Sequence, residues 1–113
     1  MLLRLALITA PMALVTFTAL AQEPVVGNWK TQVGTTATID ECAQGYCITM
    51  KTGNNAGRRI GSFKGSNGNF TGSIVEPESK KTFTGVLTLS GDTVRMRGCT
   101  MKVICVSLIW TRL

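Results

Sequence analysis

Residues 81–97 read Lys81-Thr-Phe-Thr-Gly-Val-Leu-Thr-Leu-Ser-Gly-Asp-Thr-Val-Arg-Met-Arg97. In the first half Phe83, Leu87 and Leu89 share one parity with Gly85, while Thr82, Thr84, Val86 and Thr88 share the other. This is period two, the repeat of a strand whose successive side chains point to opposite faces. Ser90-Gly91-Asp92 is a turn signal, and beyond it Val94 and Met96 alternate with Thr93, Arg95 and Arg97. The stretch reads as a hairpin with one apolar and one polar face.

The same texture extends in both directions. After Ala21, Gly and Thr make up 25 of the remaining 92 residues and Ala and Leu only seven, a balance that favours strands and turns over helices. No window carries an apolar stripe of helical period. Eight short runs emerge, at 26–31, 35–41, 46–52, 58–64, 69–75, 81–89, 93–98 and 103–112. Turn chemistry at Gly53-Asn54-Asn55, Gly65-Ser66-Asn67-Gly68 and Glu76-Pro77-Glu78-Ser79 punctuates them. The last run, Val103-Ile-Cys-Val-Ser-Leu-Ile-Trp110, is apolar on nearly both faces, which predicts a central strand or one covered from outside. So many short strands in one small domain must hide their edges, and closure into a barrel does so completely. The expected fold is all-β, a small antiparallel up-and-down barrel of about eight strands, with a two-sheet β-sandwich as the alternative.

The first 21 residues are of another kind. They hold 16 apolar residues, a single charge at Arg4 and no Gly. A short positive start, an apolar run broken by Pro11 and the small-x-small site Ala19-Leu20-Ala21 read as a cleaved bacterial signal peptide. The run is too short and too interrupted for a membrane span. The expected product is a single domain, 22–113, with no transmembrane segment, exported to the periplasm or secreted.

Export sets the reading of the cysteines. Four thiols at paired spacing in an oxidising compartment are a disulfide framework. Of three connectivities, the local one joins Cys42 to Cys47 and Cys99 to Cys105, because both intervals suit a hairpin and opposed hairpin positions lie near disulfide distance. A four-thiolate zinc site is the rival, disfavoured by spacing and by export.

The order of the motifs carries a resemblance. Gly27-Asn28-Trp29 opens the domain and Gly45-Tyr46-Cys47-Ile48 follows. Then come Phe70-Thr-Gly-Ser-Ile-Val-Glu76-Pro77, Arg97-Gly98-Cys99 and the closing Trp110-Thr111-Arg112. This resembles the bacterial domain-of-unknown-function family numbered 2147, small exported proteins with a Gly-x-Trp start, an Ile-x-Asp-Pro bend, an Arg-Gly-Cys turn and a Trp-Thr-Arg end. Ile48 stands where the family usually has Gly, Glu76 where it has Asp and Phe83 where it has Tyr. The resemblance implies architecture and address and no activity. A looser similarity, to lipocalin-like (calycin) barrels, implies that Trp29 sits at the barrel base with Arg112 packed across it, Trp110 beside them, as a closure clamp.

The chain has no His, so Ser-His-Asp triads, His-ligated metals and imidazole proton shuttles are excluded. The six carboxylates form no convincing pair for general acid–base work, with Glu76 and Glu78 reading as a solvated bend. A non-enzymatic protein without cofactor or metal is expected. The net charge of 22–113 is +5, and Arg58, Arg59, Arg95 and Arg97 are candidates for a patch that attracts an anionic partner. Export argues against nucleic acid as that partner. Met50, Phe63, Phe70, Phe83, Leu87 and Met96 are candidates to line a cavity for a small apolar or amphipathic molecule, although a barrel this small is expected to be filled or nearly filled. A partner protein of the envelope, as for an inhibitor of a secreted enzyme, is the other functional expectation.

Overall fold

The computed structural model describes residues 23–101 and 103–113, and the leader-like segment 1–21 lies outside them. Strands form where the alternation places them: β1 (Gly27–Lys30), β2 (Thr36–Cys42), β3 (Gly45–Met50), β4 (Arg59–Ser66), β5 (Asn69–Val75), β6 (Thr82–Ser90), β7 (Thr93–Thr100) and β8 (Ile104–Arg112). Each pairs antiparallel with the next, and β1 pairs with β8, so the sheet closes into an eight-stranded up-and-down barrel. The sandwich is not formed. Among the described residues no helix is long and apolar enough to cross a membrane.

The inward parity of each strand makes the core. Trp29, Ala37, Ile39, Ile48, Phe63, Phe70, Leu87, Val94, Met96 and Trp110 are all buried. A register shift opposite Ile48 and Thr49 bulges β4, and the extra residue, Ile60, joins the core as well. The core has a further member that the alternation did not flag. Val25 precedes β1, folds back under the barrel and is as buried as any core strand residue.

The eighth strand departs from expectation. Its inward residues Leu108 and Trp110 pack against the core, but Ile104 is 50% exposed and outward Ile109 is 44% exposed, so the strand is not covered from outside. The cause is the shortness of β1. Its ladder with β8 consists of Trp29 opposite Arg112 and Lys30 opposite Thr111. Beyond it, the Gln32 side chain accepts the Ile109 N–H at 3.0 Å. Among the described residues, no strand pairs with the β1-facing edge of β8 between Ile104 and Leu108.

Both disulfides form with the local connectivity and lie on the outer face. Cys99 and Cys105 are directly opposed, whereas Cys42 and Cys47 bridge diagonally, since Cys42 faces Gly45 and Cys47 faces Asp40. With all four thiols consumed, the zinc alternative falls. Each bridge closes a short loop and contributes about 2 kcal/mol, which matters to a domain of this size. Among the described residues, all strands, both bridges and the buried core lie between Val25 and Arg112.

The barrel has two unlike ends. The base gathers residues 23–26, the turns at 43–44, 67–68 and 91–92, and the chain terminus. The mouth gathers the loops at 31–35, 51–58, 76–81 and 101–103.

Candidate functional site

The base is sealed by a clamp built from the two ends of the domain. The Trp29 indole is fully buried, and its N–H donates to the Val25 carbonyl at 2.9 Å. Arg112, its cross-strand partner, lays its guanidinium 4.3 Å from the Trp29 ring centroid. The same guanidinium donates to the Pro24 carbonyl at 2.6 Å and pairs with Asp92 at 3.3 Å. Gly27 is required beside it, because its φ of +145° disfavours a side chain and a Cβ there would lie 3.3 Å from Arg112. The expected stacking of Arg112 on Trp29 is therefore present. Trp110 is buried one strand position away, across the wall from Val94.

Tyr46 also faces the base, edge-on to Phe70 with ring centroids 5.3 Å apart. Burial, then the nearby carboxylates of Glu23 and Glu41, push its phenol above its usual range. It stays protonated and neutral at physiological pH and offers no general base.

The other end is open, and below it the interior is not filled. A cavity of about 220 Å³ is walled by Ile60, Phe63, Ile74, Phe83, Met96 and Leu108, floored by Trp110, and reaches Glu76 and Pro77 at the mouth. It occupies the β4–β8 side. On the β1–β3 side Trp29, Ala37, Ile39 and Ile48 are all buried. The barrel expected to be filled or nearly filled keeps a space on its β4–β8 side.

Three of the six candidate lining residues, Phe63, Phe83 and Met96, are on the cavity wall. Phe70 and Leu87, buried in the same core, instead border a separate, more open depression, and Met50 packs against that core. Ile60, Ile74, Val106, Leu108 and Trp110 line the cavity and were not among the candidates. Leu108 and Trp110 have the parity of an inward face, but a run apolar on both faces concealed it. The void itself comes from residues without side chains. Gly72, Gly85 and Gly98 stand in register across β5, β6 and β7, with Phe63 and Val106 at the two ends of the row. Gly85 and Gly98 border the cavity, whereas at Gly72 and Gly85 a Cβ would collide with the backbone of the neighbouring strand.

The four candidate arginines do not form one patch. Arg58 and Arg59 are at the mouth where β4 begins, whereas Arg95 and Arg97 are exposed on the outer wall of β7, three strands away.

Among the described residues, no three His, Cys, Asp or Glu come together as metal ligands would. No curated protein and no solved structure matches this chain. The profile of a bacterial family described as "Uncharacterized protein conserved in bacteria (DUF2147)" matches residues 27–112, from the glycine that begins β1 to the arginine of the clamp. The span takes in every strand and both disulfides, and the chain belongs to this DUF2147 family.

Proposed function

We propose that this protein is an exported, non-enzymatic binding module that takes a small apolar or amphipathic molecule into the open half of its barrel. The cavity carries the reading. Apolar voids stay dry and bind apolar guests, as an engineered cavity of about 150 Å³ binds benzene. Pockets for drug-sized ligands run to roughly 300–1,000 Å³. At about 220 Å³ this one suits a single-ring compound or a short acyl chain and is too small for a whole lipid. Glu76 at the mouth and aromatic walls below it give an amphipathic guest a polar and an apolar end. The likeness to lipocalin-like barrels, which hold ligands in the same place, supports the same reading. Binding is favoured over catalysis because the chain has no His and Tyr46 is held neutral.

The test is a thermal melt of refolded 22–113 with octanoic acid and with indole. At a concentration of about a hundred times Kd, a ligand adds about 2.7 kcal/mol, which raises the Tm of a domain this small by on the order of 10 °C. Leu108→Trp, which fills the void, is expected to abolish the shift and leave the unliganded melt unchanged or higher. No shift with either probe, or an equal shift in Leu108→Trp, refutes the reading.

Export rests on the leader-like segment 1–21 and on two disulfides, which persist in oxidising compartments. Mass analysis of the protein recovered from cells is expected to find it starting at Gln22 with no free thiol. A cytosolic, uncleaved product would defeat this part.

One observation favours a second reading, a module that binds another envelope protein. The unpaired edge of β8 from Ile104 to Leu108 offers backbone N–H and C=O groups to an added strand. Co-purification of a stoichiometric partner that is lost with Ser107→Pro, whose N–H has the parity of the free edge, would support it, and recovery of the wild type alone would not.

A further inference from the structure

The charges of the barrel are sorted by end. At the mouth Lys30, Lys51, Arg58, Arg59, Lys80 and Lys81 are all exposed, against two carboxylates, Glu76 and Glu78. Towards the base the sign reverses by one charge, with Glu23, Asp40, Glu41 and Asp92 against Lys64, Arg95 and Arg112. The largest apolar exposures lie at the cationic end. Val33, in the β1–β2 loop, is 85% exposed, and Met101 and Val103, in the β7–β8 loop, are 85% and 82% exposed. The two loops flank β8, the first beside Ile109, where Gln32 takes up its N–H, and the second at the mouth end of the strand. A soluble barrel gains nothing by holding three aliphatic side chains in water at the tips of its loops, and such exposure marks an interaction surface.

We propose that the mouth of the barrel docks on an anionic lipid bilayer, with Val33, Met101 and Val103 entering the headgroup layer and the surrounding Lys and Arg facing acidic headgroups. Charge complementarity selects this occupant. Peripheral binding to membranes combines a modest buried apolar area with attraction between basic residues and acidic lipid. Each Lys or Arg near such a leaflet strengthens partitioning by about fivefold. The acidic base points away from the membrane in this pose and the cavity opens towards it. A soluble polyanion would satisfy the cations but would leave the three aliphatic tips in water.

The proposal stands on the surface alone, so its failure leaves the cavity reading untouched. The experiment is co-sedimentation of 22–113 with vesicles of phosphatidylcholine, alone or mixed equally with phosphatidylglycerol, at low and high salt. Binding to the mixed vesicles only, weakened by salt, is expected. Arg58→Glu with Arg59→Glu should weaken it by more than about tenfold, from the loss of two such contacts. Met101→Asp with Val103→Asp, at tips that carry no part of the core, should weaken it comparably with the melt unchanged. Glu41→Lys, which adds positive charge at the base, should change it less than twofold. If Glu41→Lys strengthens binding as much as the mouth variants weaken it, attraction is unoriented and the proposal falls. It falls equally if the protein binds heparin but not the acidic vesicles.

Discussion

Replacing Trp29 with alanine is expected to lower stability by about 3–5 kcal/mol, the cost of truncating a fully buried large aromatic. A domain of this length has only about 5–14 kcal/mol in total. The Tm should therefore fall by on the order of 20 °C, and the near-ultraviolet dichroism of the core should go with it. The expectation exceeds that for an average core residue because Trp29 does three things at one point. It fills the base, it takes up the Val25 carbonyl, and it is the surface on which Arg112 lies. Trp29→Phe separates the first from the second. It keeps most of the apolar volume but leaves the Val25 carbonyl without its donor, at about 1–3 kcal/mol. Arg112→Lys probes the third. Lysine keeps the charge but loses the planar stack and the fixed fork that reaches both Pro24 and Asp92, so about 1–2 kcal/mol should be lost. Little of that belongs to Asp92, whose side chain is almost fully in solvent. A Trp29→Ala protein that melts within a few degrees of wild type would mean that closure of the barrel does not depend on the clamp.

The clamp was legible in the sequence because it sits at the two chain ends of a closed sheet. Once eight alternating runs imply a barrel, the first and last strands must meet; that Trp29 and Arg112 stack there was implied by the resemblance to lipocalin-like barrels, and the register of β1 on β8 brings them together. The strands were legible for a related reason. Period two survives in the sequence wherever one face is wet, as in Thr82-Phe-Thr-Gly-Val-Leu-Thr-Leu89. It failed where both parities are apolar, and so the inward side of β8 could not be told from its outward side. Val25 escaped because it lies in no strand, and burial of an irregular segment leaves no periodic mark. The cavity escaped for a deeper reason. Its lining depends on which residue of one strand stands opposite which residue of the next, and single-strand alternation says nothing about register between strands. Phe70 and Phe83 have equal claim to a cavity in the sequence. The pairing of Gly72 with Gly85 and of Gly85 with Gly98 decides that Phe83 borders this cavity, while Phe70 borders a separate, more open depression.

That glycine row yields the second large effect, and two of its members should respond with opposite sign. At Gly85 an added Cβ would collide with the carbonyl oxygen of Arg97 and lie 2.6 Å from the Gly98 Cα, both of them backbone. No rotamer relieves such an overlap. The strands would have to move apart, flattening the bend by which this wall curls over the interior. Gly85→Ala should therefore cost about 3 kcal/mol, the upper end of what overpacking costs. At Gly98, one strand along, an added Cβ meets the Phe83 Cβ at 3.3 Å and the Thr84 carbonyl only at ordinary contact distance, 3.4 Å to its oxygen. A shift of a few tenths of an ångström in the Phe83 side chain accommodates it. Against that small cost, alanine restricts the unfolded chain and stabilises by about 0.4–1 kcal/mol where the backbone permits. Urea unfolding of the two variants side by side is expected to show Gly85→Ala strongly destabilised and Gly98→Ala at or slightly above wild type. The two glycines serve different ends in this account: the first lets the sheet bend, the second leaves room for a guest. Equal losses in both variants would mean that the row is a single structural hinge and that the space beside Gly98 is a by-product of curvature. A tolerated Gly85→Ala would mean that the wall can relax outward, and the cavity should then be larger in solution than its 220 Å³.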